Sequence, residues 1–208
     1  RKKNSGSKLL SQPEQLYSLL KAMRSATDKP LSAKIRVDGD SGERFNVEVV
    51  QAIESAGADF IVVHGRHWRE RYDMAVRISE IASLVSQVEI PLIANGDVAD
   101  LASAEHMLQA TGAAGVMISR ATLGQPWLFA EIVKQSQGNE YVSPTFDERI
   151  HLLLQHVLGL VELDGEYKAL LQARKLPKYY FPECCPPAVH AQTLSEFKVY
   201  LSGLQQPF

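Results

Sequence analysis

The chain has little of several residues that mark particular classes of protein. It has only two cysteines in 208 residues, and they are adjacent, as Cys184 and Cys185. Neighbouring cysteines rarely bridge each other, and their spacing fits no metal site. This scarcity argues against a disulfide-stapled secreted protein, so we expect a reducing, cytoplasmic setting and no bound metal.

Long apolar runs are also missing from the sequence. No stretch approaches the roughly 20 apolar residues that a membrane span needs. The first ten residues, RKKNSGSKLL, are basic but lack the apolar segment of a signal peptide. We therefore expect no membrane partner. The chain also lacks an initiator methionine, which suggests that it is processed, trimmed or cut from something longer.

Neither sign of charge dominates the composition. The net charge of −2 gives no overall attraction to nucleic acid, so local basic clusters are more informative. The hydrophobic content of 45% allows an ordinary soluble core, and the length allows one large domain or a medium one plus a small one. A single basic cluster is more often a solvated face. The three clusters are Lys2, Lys3 and Lys8, then His67, Arg69 and Arg71, and later Arg174, Lys175 and Lys178.

Four short apolar segments predict buried parallel strands. They span residues 31–37, 60–66, 90–97 and 115–121, and each is rich in Val, Ile or Leu and ends in polar residues. Such runs are typical of strands that are covered on both faces. Segments with helical periodicity lie before the first run and between successive runs, at 11–27, 43–56, 76–88 and 100–110, and Ser11 is the candidate N-cap of the first segment. This alternation predicts an α/β fold with short connections.

The pattern changes after the fourth predicted strand. Residues 134–145 are polar and turn-rich, which is typical of a linker. Residues 146–174 have the periodicity of long helices, and 190–204 predict a final amphipathic helix. We therefore place a domain boundary near residue 140, with an α/β domain over 1–133 and a small helical domain over 146–208.

Polar side chains follow all four predicted strands. In an α/β fold the carboxyl ends of parallel strands meet at one edge, where ligands usually bind. The side chains expected there are Lys34, His64, Arg66, Asn95, Asp97, Ser119 and Arg120, with Gly96 between two of them. This set is rich in hydrogen-bond donors and suits a phosphorylated, planar cofactor.

Six segments, taken in order, resemble the tRNA-dihydrouridine synthases, especially the bacterial B-type. The resemblance runs from about residue 5 to about residue 181, and each segment alone is weak. The segments are GSKLL (6–10), AKIR (33–36), VVHGRHWRERY (62–72), IPLIANGDV (90–98), SRATLGQPWLF (119–129) and ARKLPKYY (173–180).

The resemblance implies a (β/α)8 TIM barrel that binds FMN, followed by a helical domain that holds tRNA. In that family NADPH reduces the flavin, the flavin passes hydride to C6 of a uridine, and a cysteine protonates C5. This chain would carry strands five to eight, and the cysteine would lie upstream of Arg1. Cys184 and Cys185 cannot replace it, so we expect a fragment that is inactive unless a second chain supplies the N-terminal half-barrel.

The same resemblance assigns roles to individual residues, each with a plainer alternative. A strand lysine can be salt-bridged, a strand-end histidine can be structural, and Asp97 can simply cap the next helix. Ser119, Pro177, Lys178 and residues 73–76 depart from the family pattern, and Pro177 should break the helix that presents Arg174 and Lys175 in the family. The implied cofactor contacts are Lys34, His64, Asn95, Gly96, Asp97, Ser119 and Arg120, and the implied substrate or tRNA contacts are Arg66, Arg69, Arg174 and Lys175.

Two other functions stay open from the sequence. One is an FMN barrel similar to dihydroorotate dehydrogenase that acts on a free pyrimidine. The other is an RNA-binding remnant without flavin chemistry. The basic residues Arg174 and Lys175 in the helical segment argue against the first, because a free pyrimidine needs no such surface. The sequence specifies neither the uridine that is modified nor the oligomeric state.

Overall fold

The computed structural model describes residues 6–37, 43–184, 186–187 and 189–204. They fall into two compact units, which divide between Arg120 and Ala121. Cys185 lies outside the described residues. The boundary between the units falls before the predicted linker at 134–145, whose first residues belong to a helix.

The first unit alternates helices and strands. A 3-10 helix at Gly6–Ser11 precedes the first α-helix. The elements that follow are α1 (Pro13–Ser25), β1 (Ser32–Arg36), α2 (Glu43–Ser55), β2 (Phe60–His64), α3 (Ile78–Val85), β3 (Leu92–Asn95), α4 (Leu101–Thr111) and β4 (Gly115–Met117).

The four strands form one parallel sheet in the order β1-β2-β3-β4. Lys34 pairs with Val62, Val62 with Ile93, and Ile93 with Gly115. The predicted α/β class and its parallel sheet are therefore confirmed. Sequential parallel strands joined by helices are the arrangement found within a (β/α)8 barrel.

One face of this sheet is packed against the helices. Ile61, Val63 and Ala94 are fully buried in a core that also includes apolar residues of α1, α2, α3 and α4. Because successive strand side chains point to opposite faces, Lys34 and Val62 belong to the other face. The sheet therefore presents a polar-tipped face away from its helical layer.

The ends of two helices show where local prediction succeeds and fails. Gly112 ends α4 in a left-handed conformation, as expected of a helix C-cap. The cap at the start of α4 is Asp100, which forms a capping box with Ser103, so the alternative role of Asp97 as this cap is wrong. Ser11 does not cap α1 either, because its hydroxyl donates to the Lys8 carbonyl within the preceding 3-10 helix.

In the second unit, the elements of the described residues are helices. They pack around a core that includes Phe181, Phe197, Leu153 and Val157, all fully buried. Within the described part of the chain, no helix is both long and apolar enough to cross a membrane. The α-helices are α5 (Leu128–Ser136), α6 (Phe146–Asp164), α7 (Glu166–Ala173), α8 (Pro177–Tyr180) and α9 (Leu194–Ser202).

Proline has the effect predicted at residue 177. Helix α7 ends at Ala173, and Pro177 occupies the first turn of α8. Proline fits a first helical turn because its nitrogen needs no hydrogen-bond partner there. Arg174 and Lys175 therefore lie between two helices, and both are exposed.

Gly124 is the most constrained glycine of the second unit. Its φ is +76°, and a Cβ at this position would lie 2.1 Å from the Tyr179 carbonyl oxygen. Gly138 has nearly the same φ, +74°, but a Cβ there would meet nothing within 4 Å. Alanine would therefore meet a left-handed backbone at both positions, but a steric overlap only at Gly124.

We expect Gly124→Ala to lower the free energy of unfolding far more than Gly138→Ala. The left-handed backbone costs each alanine about 1–2 kcal/mol, and overpacking adds about 1–3 kcal/mol at Gly124 alone. Urea unfolding of the two variants and the parent chain measures this difference. Equal losses in both variants would show that the contact with Tyr179 relaxes without cost.

Candidate functional site

The carboxyl edge of the sheet brings together most of the predicted site residues of the first unit. Lys34 Nζ donates a hydrogen bond to Asn95 Oδ1 over 2.9 Å. The Asn95 amide nitrogen donates to the Met117 carbonyl oxygen at 2.8 Å and approaches Ser119 Oγ at 3.4 Å. The buried Asn95 side chain therefore connects the ends of β1, β3 and β4.

Arg66 is buried beneath this edge. Only 1% of the residue is exposed. Its guanidinium forms a bidentate pair with the Asp97 carboxylate. It also donates to the carbonyl oxygens of Tyr72 and Met74 and lies 3.5 Å from His64 Nε2. Arg66 therefore joins the end of β2, the loop after it and the turn after β3.

Asp97 connects the buried arginine to an exposed one. Its second guanidinium partner is Arg120, at 2.6 Å, and the Arg120 side chain is half exposed. Asp97 has a φ of +52°, in the left-handed region that aspartate and asparagine adopt more readily than most residues other than glycine. Before it, Gly96 has a φ of +140°, and a Cβ there would lie 2.6 Å from a Val76 methyl carbon. A side chain at Gly96 would therefore crowd Val76.

Two residues of the site were not identified from the sequence. Tyr72 is exposed, and its ring lies 4.3 Å from Arg120 Cζ and 5.8 Å from Arg36 Cζ. Its ring centroid is 6.5 Å from that of His64. Arg36 could have been found, because it follows Lys34 by two residues and shares its face. Tyr72 gives no such signal, because the fold of its loop places it.

Burial, followed by neighbouring positive charge, sets the protonation of the basic groups of the site. Burial, followed by the charges of Arg36, Lys34 and Arg66, lowers the pKa of His64 to about 4. Partial burial, and then Arg36, lower the pKa of Lys34 from its usual range. His64 is therefore neutral near pH 7, and its Nε2 can accept a hydrogen bond from Arg66.

The carboxylate of the site responds to the same charges in the opposite direction. The hydrogen bond from Arg66, reinforced by the charges of Arg66 and Arg120, lowers the pKa of Asp97. Asp97 is therefore ionised near neutral pH and cancels part of the positive charge that the two arginines bring.

A second network holds the outer part of the loop between β2 and α3. Arg77 binds the carboxylates of Glu70 and Glu80 and contacts the ring of His67. The Glu70 carboxylate also accepts from the His67 backbone N–H at 2.8 Å. Residues 73–76 depart from the family pattern. They lie between the ion pairs of Arg77 and the hydrogen bonds of Arg66.

A cleft of about 470 Å³ opens beside β1. Its walls include Leu9, Leu10 and Ala33, and Lys34 and Arg36 line it as well. An apolar wall with two cations is suited to a planar ring that carries electronegative atoms on one edge.

The other predicted contacts lie elsewhere in the structure. Arg69 is exposed in the loop after β2, and its guanidinium lies over the Trp68 ring at 4.7 Å. Arg174 and Lys175 belong to the second unit, as does Cys184. Among the described residues, histidines, cysteines and carboxylates form no group that could hold a metal ion.

The geometry of the strand ends favours an anionic, planar ligand. Lys34, Ser119 and Arg120 are exposed at the edge, and the neutral His64 lies among them. Exposed cations and hydroxyl groups bind phosphate and carbonyl oxygens, whereas an apolar cleft accepts a ring. This set can bind and orient such a ligand, but it contains no cysteine or other evident nucleophile.

His64 should make stability depend on pH in a defined window. The unfolded chain takes up a proton at His64 near pH 6.5, whereas the folded chain keeps the imidazole neutral down to about pH 4. Between these values the unfolded state binds more protons than the folded state, so the free energy of unfolding falls as the pH falls. We expect His64→Asn to reduce this loss of folding stability.

Urea unfolding at several values between pH 7 and pH 4 measures the effect. His106→Asn, on the exposed surface of α4, is the matched control and should follow the parent chain. A parent-like pH dependence in His64→Asn would contradict the neutral, buried state of His64.

Comparison with known proteins gives one family. The family model "Dihydrouridine synthase (Dus)" matches residues 1–203. The chain is 35% identical over 206 residues to the probable tRNA-dihydrouridine synthase 1 of Synechocystis sp., covering 99% of this chain and 57% of that protein. It is 36% identical over 186 residues to tRNA-dihydrouridine synthase B of Klebsiella pneumoniae, covering 89% and 58%.

A third relative agrees with these two. The chain is 33% identical over 183 residues to tRNA-dihydrouridine synthase B of Shewanella oneidensis, covering 88% of this chain and 57% of that protein. The chain thus spans rather more than half the length of the curated relatives it matches.

Proposed function

Since the chain belongs to the dihydrouridine synthase family, we propose that it takes part in the reduction of uridine to 5,6-dihydrouridine in tRNA, in the cytoplasm. The cofactors of this proposal are FMN, as the bound flavin, and NADPH, as the reductant. The first unit supplies strands five to eight of a flavin-binding (β/α)8 barrel. The second unit is its helical tRNA-binding domain.

The cluster at the carboxyl ends of the strands carries this proposal. Four strands deliver cations, amides or hydroxyls to one edge, and Asn95 joins three of those ends through its side chain. The residues present fit FMN, because a flavin needs donors for its pyrimidine edge and for its phosphate. When bound, FMN supplies the hydride transfer between NADPH and the pyrimidine ring.

Lys34 and His64 would hold the ring of the cofactor. The Lys34 ammonium is fixed by Asn95 and is exposed toward the edge of the sheet. A fixed cation there stabilises negative charge at the pyrimidine edge of the flavin. His64, neutral and buried, contributes a hydrogen bond and bulk beside the ring and adds no further positive charge.

Ser119 and Arg120 would bind the phosphate, together with the backbone around Gly96. Both side chains are exposed at the end of β4, and Arg120 is held in place by Asp97. Ser119 replaces a glycine of the family pattern. Its hydroxyl already lies within 3.4 Å of the Asn95 amide, which directs it along the edge and supports a role as an added donor.

The proton for C5 of uridine must come from outside residues 1–183, because these contain no cysteine. The resemblance places the donor cysteine on a barrel loop, whereas Cys184 and Cys185 belong to the helical domain, where the family has no such donor. We propose that the donor cysteine and the remaining strands come from polypeptide that this sequence does not include, in the same protein or in a second chain. On that basis the chain alone binds FMN and tRNA but does not catalyse the reduction of uridine.

The decisive experiment is to measure dihydrouridine by mass spectrometry in unmodified tRNA incubated with FMN and NADPH. We expect little or no product from the chain alone. Product should appear when the chain is combined with the portion of the Klebsiella pneumoniae relative that it does not cover. No product in the mixture, together with no FMN binding, would overturn the proposal.

Lys34→Ala should weaken FMN binding roughly tenfold, which is the effect of losing one charge-assisted contact. Quenching of FMN fluorescence on titration with protein gives the dissociation constant. Lys29→Ala is the control, because Lys29 is exposed just before the opposite end of β1. Equal affinities in the parent and in Lys34→Ala would remove Lys34 from the cofactor site.

Arg174 and Lys175 should contribute to tRNA affinity through phosphate contacts. In the double variant Arg174→Ala, Lys175→Ala we expect the slope of log affinity against log salt concentration to fall by about 2. The control is Lys168→Ala, Lys198→Ala, which removes the same charge from exposed positions in the same unit. If both double variants lose the same slope, the tRNA site is not at 174–175.

A further inference from the structure

Arg66 has the most completely satisfied side chain of the candidate site. A guanidinium has five N–H donors. In Arg66, Nε donates to the Met74 carbonyl, one terminal nitrogen faces Asp97 and His64, and the other faces Asp97 and Tyr72. With 1% of the residue exposed, no donor is left over for a ligand.

This geometry differs from the role that the resemblance implied for Arg66. A substrate contact would require one of these hydrogen bonds to break inside a buried site. Breaking a buried hydrogen bond to a charged group is costly, because the group that loses its partner stays desolvated. The arginine therefore acts on the protein and not on the uridine.

What Arg66 holds in place is the exposed part of the site. Through Asp97 it fixes the carboxylate that binds Arg120. Through the Tyr72 and Met74 carbonyls it fixes the loop that carries the Tyr72 ring. The centre of that ring lies 4.3 Å from Arg120 Cζ. The contacts through Asp97 and the contacts through the loop therefore both reach Arg120.

We infer that Arg66 is a positioning residue that sets Arg120 and Tyr72 for an anionic group at the end of β4. The inference rests on the proposed function only in taking that group to be the phosphate of FMN. The outer network of Arg77 holds the same loop at residues 67–70, so loss of Arg66 frees residues 71–74 first.

The first test uses Arg66→Lys and two flavins. Lysine keeps the charge but cannot span five partners in a planar fork. FMN and riboflavin differ only in the phosphate, so a positioning role predicts about tenfold weaker FMN binding with riboflavin binding unchanged. A general loss of structure would weaken both flavins equally.

The matched control is Arg24→Lys. Arg24 pairs with Asp59, just before the amino end of β2, and donates to the carbonyls of Thr27 and Lys29, in the same unit but away from the carboxyl ends of the strands. It is the same substitution in a similar hydrogen-bonding role. It should lower the unfolding temperature without changing the ratio of FMN to riboflavin affinity.

A second variant covers the case in which Arg66→Lys does not fold. Asp97→Asn keeps the size and tolerates the left-handed backbone, but removes the charge that joins the two arginines. It should show the same selective loss of FMN affinity, and the exposed Arg120 should react faster with phenylglyoxal.

A readout without flavin separates this inference from the proposed function. Trypsin cuts after arginine, and Arg69 and Arg71 both lie in the loop that Arg66 holds. We expect cleavage after Arg71 to be several times faster in Arg66→Lys than in the parent or in Arg24→Lys. A parent that binds no FMN would refute the cofactor role, and the cleavage rate would still decide the positioning role.

The inference fails if Arg66→Lys is cleaved after Arg71 no faster than Arg24→Lys. It fails equally if FMN and riboflavin affinities fall together in both Arg66→Lys and Asp97→Asn. Selective loss of FMN affinity with faster cleavage supports it.

Discussion

The site depends on the Asp97 carboxylate between two arginines. Arg66 holds it from the buried side and Arg120 from the exposed side, and the pairing keeps Asp97 ionised on a left-handed backbone. Without this carboxylate two guanidinium groups would repel each other at the edge of the sheet. The ion pairs let a cationic surface exist at the strand ends while its innermost arginine is fully buried.

The hydrophobic pattern was enough to predict the frame of the first unit. Each strand is a short apolar run bounded by polar residues, so the four strands and their parallel direction followed from local sequence, whereas the order β1-β2-β3-β4 was implied only by the family resemblance. Helix ends were less predictable. Serine is a common helix cap, but the Ser11 hydroxyl donates to the Lys8 carbonyl instead, because the preceding 3-10 helix competes for it.

Prediction of the site was limited by contacts between distant segments. Strand ends converge by topology, so Lys34 and Asn95 were expected at one edge, and they form a hydrogen bond. The sequence could not show that every donor of Arg66 has a partner, because its contacts with Tyr72, Met74 and Asp97 depend on the folded loop. A sequence shows which residues reach an edge, but not which of them remain available to a ligand.

The sequential order of the strands has a consequence for how the first unit folds. Every pairing joins neighbouring strands, with partners such as Ser32 and Phe60, or Ile93 and Gly115, only about 20–30 residues apart. Each pairing closes a loop of only one βα unit, which costs less entropy than pairing strands that are further apart in the sequence, although parallel pairing remains slower than pairing within a hairpin. Each strand can therefore pair with the one before it as the chain leaves the ribosome, so the first unit can grow in the direction of synthesis.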